Sequence, residues 1–326
     1  MRSLFWLRLV FLALMLGLLF SYVDMGEVLR RFDLHYGIAI VASQIPVFVG
    51  IVLTAWRHAF LVSSPPPPLW PTVQAIALGI GLNNLLPGRV GELVKATYLR
   101  EHCQIPLTVG MSVVFVDRLL DVVVLGLLGI LGISIFTVDL GGTGFLLMAG
   151  LPVLGVLFAP RLAPVCKRLL GRLPWPEAVG FSSRLIDDVL LRIRPTLLGM
   201  GLGVGLVIWL CFAAGIAAFV NLASAHPLGV YQTFFVLLMV VAGSAVPALP
   251  GGMGTYEVAG IFAFRQLGYE LDEAVALTLG LRVANLAFTV PWALIVASHQ
   301  PMGLHALWRD LRSGQLPPPT DDGPCL

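Results

Sequence analysis

Charge is scarce in this sequence. Of its 326 residues only 12% are Asp, Glu, Lys or Arg, about half the share found in a soluble domain. So little charge cannot clothe a water-facing surface, which excludes a soluble enzyme, a disordered protein and a nucleic-acid binder. The formal net charge of +2 also gives no reason to expect a nucleic-acid partner. Cysteine is scarce as well. Cys103, Cys166, Cys211 and Cys325 lie far apart, with neither metal spacing nor the density of a disulfide framework. The six histidines are scattered. No metal, no cofactor and no catalytic motif are therefore expected. What the chain does have is apolar residues, 58% of the total, with 35 glycines and 23 prolines. A bilayer core takes about 20 apolar residues per helix, so the length allows roughly six to eight crossings and no large soluble domain.

The apolar runs mark the elements. Leu4 to Tyr22 is the first; Ser21-Tyr22-Val23 offers no small-x-small cleavage site, so it reads as a span and not as a signal peptide. Leu34 to Trp56 is the second, closed by Trp56, Arg57 and His58. After Pro65-Pro66-Pro67-Pro68, the run Trp70 to Leu86 stops at Pro87-Gly88, and Val90 to His102 begins at once. Ile105 to Phe136, Gly142 to Ala159, Thr196 to Val220, Leu228 to Leu249, Thr255 to Leu267 and Leu271 to Ser298 complete the series. Residues 177–194 place Val179, Leu185, Ile186, Val189, Leu190 and Ile193 near one helical face, as in an interfacial amphipathic helix. Gly199, Gly201, Gly203 and Gly205 read as a small-residue stripe for close helix packing.

Loop charge sets the expected orientation. Seven of the 20 basic residues fall in 160–195, which makes that loop cytoplasmic. The links Thr137–Gly141 and Asn221–Pro227 hold no Lys or Arg and are expected outside. Both termini are then cytoplasmic, at the cell inner membrane, with 1–299 a single transmembrane domain and 300–326 a polar cytoplasmic tail. Half one covers about 1–137 and half two about 142–299.

The two halves look alike. Leu86-Pro87-Gly88-Arg89-Val90-Gly91 resembles Leu249-Pro250-Gly251-Gly252-Met253-Gly254, at an offset of 163. Each copy interrupts an apolar run and is followed by a glutamate, Glu92 or Glu257. Arg118 stands 31 residues after Pro87, and Arg282 stands 32 after Pro250. If each Pro-Gly element is a helical hairpin that enters and leaves on one side, each half has three net crossings and the second half is inverted. The expected fold is therefore an all-α polytopic membrane protein, an inverted repeat of two halves. Each half would have three spans and one broken or re-entrant hairpin, with the substrate site near the midplane. The competing reading is that Pro87 and Pro250 only kink ordinary spans.

These residues also carry a resemblance. Asn83-Asn84-Leu85-Leu86-Pro87-Gly88-Arg89-Val90-Gly91-Glu92 resembles a signature of the flippase-like family, also called the lysylphosphatidylglycerol synthase transmembrane region family. Asp117-Arg118-Leu119-Leu120-Asp121 is similar to its second motif, Pro250-Gly251-Gly252-Met253-Gly254 with Glu257 to its third, and Arg282 to its last arginine. The likeness runs from about Leu4 to Ser298. It implies a polytopic protein that moves aminoacylated phospholipids or isoprenoid-type envelope lipids, with a membrane lipid and enzymes of a lipid or envelope pathway as partners. Some members add a soluble aminoacyltransferase domain, for which the 326 residues have no counterpart, so the expectation is the membrane region without synthase activity.

Glu92, Lys95, Asp117, Arg118, Asp121, Glu257 and Arg282 fall in or beside apolar runs. Left unpaired at helix centres they would cost on the order of 20 kcal/mol, so they must be paired or hydrated within the bundle. They read either as ion pairs that fix helix register or as a polar groove for a headgroup. Arginine suits phosphate through its planar fork, which singles out Arg89, Arg118 and Arg282. Helix N-termini at Gly88–Glu92 and Gly251–Thr255 add free N–H groups. Glu92 and Glu257 fit either dipole-favoured caps or proton or cation sites. The expected binding residues are Arg89, Glu92, Asp117, Arg118, Asp121, Gly251, Gly252, Glu257 and Arg282. The expected function is lipid translocation. The alternatives are an intramembrane lipid-modifying enzyme, with Glu92 or Asp117 as general base, and a non-transporting scaffold of an envelope pathway.

Overall fold

A computed structural model describes residue 26 and residues 33–62, 65–86, 89–133, 142–172, 174–245 and 252–298. Among these residues there are ten α-helices and no strand. They are α1 (Leu34–Val62), α2 (Leu69–Leu85), α3 (Val90–Cys103), α4 (Leu107–Ile133), α5 (Gly142–Leu170), α6 (Pro176–Arg192), α7 (Pro195–Ala223), α8 (Val230–Ala245), α9 (Thr255–Gln266) and α10 (Leu271–Ser298). The expected run Leu4–Tyr22, the Pro87-Gly88 and Pro250-Gly251 breaks, the link Thr137–Gly141 and the tail lie outside the described residues.

Length separates two kinds of helix. α1, α7 and α10 have 29, 29 and 28 residues and are apolar enough to cross a membrane. At 1.5 Å per residue each exceeds the hydrocarbon thickness of about 30 Å. α3 and α9 have only 14 and 12 residues, about 21 and 18 Å, too short to cross alone. Each packs back on the helix before it, α3 on α2 and α9 on α8. The chain is thus a helical membrane protein in which each apolar run broken by Pro-Gly folds as a hairpin of short helices.

The α1–α7 pair is the most extensive contact. A Cβ added at Gly50 would come within 2.7 Å of the Phe212 ring, and one at Gly215 within 2.8 Å of Val47, so glycine lets the two backbones close together. Two apolar cores form along this pair. One joins Tyr36, Phe219, Phe264 and Leu277 from α1, α7, α9 and α10. The other joins Leu61, Leu78, Tyr98 and Leu120 from α1, α2, α3 and α4. The outer side chains of α5, such as Leu154, Leu157 and Phe158, are exposed, as suits a helix solvated by lipid tails.

Sequence and structure differ at two places that matter for the site. The second span does not close at Trp56: α1 continues to Val62, and Arg57 and His58 are fully buried. The amphipathic segment 177–194 is helical as expected, but α6 is docked on α4, with Val189 and Ile193 against the second core. Arg192 is buried there and donates Nη2–H to the Val62 carbonyl at 3.0 Å, which caps the end of α1. The segment 160–195 is mostly helical, because α5 runs on to Leu170. In the small-residue stripe, Gly201 and Gly205 face the bundle, against Leu120 and Arg57. Gly199 and Gly203 meet nothing within 4 Å.

Candidate functional site

α4 sets out the first half of the site. Asp117 and Asp121 are one turn apart and share a helix face, which points at α1. There Arg57 bridges them, with Nε 3.1 Å from Asp117 Oδ1 and Nη2 2.9 Å from Asp121 Oδ1. His58 Nδ1 lies 2.6 Å from Asp117 Oδ2. Trp209 of α7 donates its indole N–H to Asp121 Oδ1 at 3.3 Å. The guanidinium needs room beside α7, and Gly205 provides it: a Cβ there would sit 2.9 Å from Arg57 Nη1.

Arg118, one residue further round α4, turns to α3. Its Nη2 is 2.8 Å from Glu92 Oε1 and its Nη1 3.3 Å from Asp121 Oδ2. Lys95, one turn along α3, holds the other Glu92 oxygen at 2.9 Å. The result is a net of three cations, Arg57, Lys95 and Arg118, with three carboxylates, Glu92, Asp117 and Asp121. With His58 neutral the net charge is zero, so each buried charge has a partner of opposite sign that offsets part of its desolvation cost. Exposure sorts the members: the Arg57 side chain is 1% exposed and that of Arg118 is 46%. Arg57 is therefore the internal tie, and Arg118 is the cation with an open face.

The second half is sparser. Glu257, in the first turn of α9, accepts the Gly254 N–H at 2.6 Å through Oε2 and faces Arg282 Nε at 3.6 Å through Oε1. The Arg282 guanidinium carbon lies 4.9 Å from the Tyr256 ring centroid, a cation–π distance. Glu257 is thus the helix cap that its position suggested. Glu92 is not; it is taken up by Lys95 and Arg118.

Two adjacent asparagines at the end of α2 lie between the halves. Asn83 accepts the Gly91 N–H at 2.9 Å and its amide is 3.5 Å from Glu92. Asn84 donates to Asn285 Oδ1 and to Thr289 Oγ1 of α10, both at 3.0 Å. Asn285 is one turn beyond Arg282. A run of polar groups therefore leads from Asp117 and Arg118 through Glu92, Asn83, Asn84 and Asn285 to the α10 helix that bears Arg282.

Of the residues expected from sequence, Glu92, Asp117, Arg118 and Asp121 are brought together, while Glu257 and Arg282 form their own pair. Arg89 is exposed at the N-cap of α3, with φ 55°, and joins none of these contacts. Gly252 packs against Ser244 at φ 69°, and Gly251 lies outside the described residues. The sequence reading missed Arg57, His58 and Trp209. The available signal was that the apolar run resumes after His58 with Ala59-Phe60-Leu61-Val62, which places the charges inside the run and not at its edge.

The scan against family models matches residues 5–293 to the lysylphosphatidylglycerol synthase TM region. The chain belongs to this family. The matched stretch contains both charged clusters and the asparagines between them, so the site is part of the family's membrane region and not an appendage to it. Neither a curated protein nor a solved structure matches the chain.

The glycines of the two breaks separate by mechanism. A Cβ at Gly91 would fall 2.0 Å from the Gly79 carbonyl oxygen, so Gly91 closes the α2–α3 hairpin. Gly254 has φ 83° and open space around it, so only its left-handed backbone requires glycine. Gly91→Ala is expected to cost about 1–3 kcal/mol or more through overpacking, and Gly254→Ala about 1–2 kcal/mol through backbone strain alone. Thermal unfolding in detergent checks the order. A larger loss for Gly254→Ala would mean that the hairpin contact is wrongly assigned.

Proposed function

We propose that this chain translocates a phospholipid or an isoprenoid-type envelope lipid, with the headgroup held along the polar run between the two hairpins and the tails left in the bilayer. The observation that carries this reading is the half-exposed Arg118 at the edge of an otherwise buried, neutral ion net. A net that served only to lock helix register would gain nothing from an open guanidinium face, whereas a phosphate needs one. Membership of a lipid-related membrane family supports the same reading. Enzymes that make or consume the lipid would be the natural partners.

The inverted repeat belongs to this proposal. In its support, α1 packs against α7, its counterpart in the other half, and the hairpins α2–α3 and α8–α9 correspond. α4 and α10 each follow a hairpin and pack on its second arm. Arg89 and Gly252, 163 residues apart, both adopt positive φ, 55° and 69°. Each half also pairs the glutamate after its break with the arginine of the following long helix, Glu92 with Arg118 and Glu257 with Arg282.

The orientation proposed is both termini and 160–195 on the cytoplasmic side of the inner membrane, with 221–227 outside. Single cysteines at the exposed positions Ala178 and Ala225, in a cysteine-free background, test it. An impermeant thiol reagent applied to intact cells should label position 225 and spare 178; labelling of 178 would reverse the assignment.

The site itself is tested by a photoactivatable anionic phospholipid that carries its reactive group beside the phosphate. Cross-links are expected on peptides containing Asn83–Glu92 and Arg118. Cross-links confined to the lipid-facing side of α5 would reduce the protein to a passive membrane solute and sink the proposal.

A further inference from the structure

His58 is a fully buried imidazole against Asp117 of the ion net, and the headgroup reading above gives it no role. Its Nδ1 is 2.6 Å from Asp117 Oδ2. With Asp117 held as a carboxylate by Arg57, the proton in that contact belongs on Nδ1, an assignment made from the hydrogen-bond pattern. Nε2 is then a bare acceptor, buried and without a hydrogen-bond partner among the described residues.

We propose that His58 Nε2 is a proton-binding site whose occupancy is coupled to an anionic headgroup at Arg118; this rests on the translocation reading. The coupling follows from the charge count. Arg57, Lys95 and Arg118 balance Glu92, Asp117 and Asp121, so the net is neutral while His58 is neutral. A proton on Nε2 leaves one positive charge in excess inside the membrane. An anionic headgroup at the open face of Arg118 cancels it. Each of the two makes the other less costly to accommodate, and the effect is reciprocal. A zwitterionic headgroup brings no net charge and would not draw the proton.

Among the described residues no other element supplies the compensating charge. The charges acting directly on His58 are Asp117 from α4 and Lys95 and Glu92 from α3, with Arg57, Asp121 and Arg118 in the same net. α2 and α7, which also pack on α1, carry no Asp, Glu, Lys or Arg. Arg282 of α10 already faces Glu257, Asp272 and Glu273 stand in the first turn of that helix, and Arg192 of α6 is held by Asp188 and the Val62 carbonyl. The chemistry is one proton added from the aqueous phase to the Nε2 lone pair and later returned; no other bond forms or breaks.

The test is titration calorimetry of the full chain in detergent with short-chain phosphatidylglycerol, in buffers of differing ionisation enthalpy, between about pH 5 and 8. Uptake of about one proton per lipid is expected over part of that range, with affinity falling up to about tenfold per pH unit there. Short-chain phosphatidylcholine should take up none. His58→Gln keeps a hydrogen-bond donor for Asp117 and should bind phosphatidylglycerol with no uptake and a flat pH profile. Binding without uptake by the wild type at every pH overturns the proton site and leaves the translocation reading standing. Equal uptake with phosphatidylcholine overturns the charge matching, and undiminished uptake by His58→Gln assigns the proton elsewhere. Absence of binding by either lipid overturns the headgroup site and, with it, this proposal. The wild-type measurement decides alone if His58→Gln fails to fold.

Discussion

Arg57→Met is expected to destabilise the protein by about 3–5 kcal/mol, the cost of removing one partner from a buried ion pair. The variant strands Asp117 and Asp121, two carboxylates one turn apart on α4 that share this guanidinium at 3.1 and 2.9 Å. Trp209 and Arg118 still reach Asp121, but among the described residues Asp117 keeps only its contact with His58. The loss should therefore be felt first where α1 meets α4. Arg57→Lys keeps the charge and loses the fork that spans both carboxylates, so its penalty should be smaller. Thermal unfolding in detergent, followed by tryptophan fluorescence, measures both. A change within about 0.5 kcal/mol for Arg57→Met, the size of an ordinary surface substitution, would show that the net is not structural.

The second large effect is on activity. Arg118→Lys combined with Arg282→Lys should leave folding nearly intact and slow lipid translocation by about tenfold or more. Lysine retains a positive charge opposite Glu92 and Glu257 but cannot offer two parallel N–H bonds to a phosphate. One lost hydrogen bond to a charged group, about 1.5 kcal/mol, already corresponds to roughly tenfold in rate. The two positions should not contribute equally. Arg118 has an open face, whereas Arg282 is 9% exposed and leans on Tyr256. Most of the loss should appear in the Arg118→Lys single variant, and Arg282→Lys should weaken chiefly the hold of α10 on Glu257. Arg→Ala at either site confounds the two effects, because it leaves a glutamate unpaired at depth.

The helices were largely legible in the sequence because a bilayer leaves few alternatives for a long apolar run. Leu271 to Ser298 was expected and found residue for residue, and Val90 to His102 came out one residue longer. The Pro-Gly breaks announced the hairpins, and Glu92 with Lys95 could be paired from their spacing alone. For Arg57 and His58 the resumed apolar run Ala59 to Val62 shows that the helix goes on past them, but their partners could not be placed this way. What draws these two inside is Asp117 and Asp121, some sixty residues away on α4, a contact that no local pattern encodes. The same holds for Arg192, which reads as one of many basic loop residues and yet caps α1 from 130 residues away. The glycine stripe of α7 reads as packing surface; only the fold shows that Gly205 is where the Arg57 guanidinium fits.

The account turns on headgroups crossing the membrane along the polar run through Arg118. The most direct measurement reconstitutes the wild-type chain and Arg118→Lys in vesicles that contain a headgroup-labelled fluorescent phosphatidylglycerol, then adds an impermeant quencher. In protein-free vesicles only the outer-leaflet label is lost. The expected result is that wild-type protein also exposes the inner-leaflet label, at a rate that falls about tenfold in Arg118→Lys. Wild-type vesicles that behave like protein-free ones, or a lysine variant as fast as wild type, would contradict it.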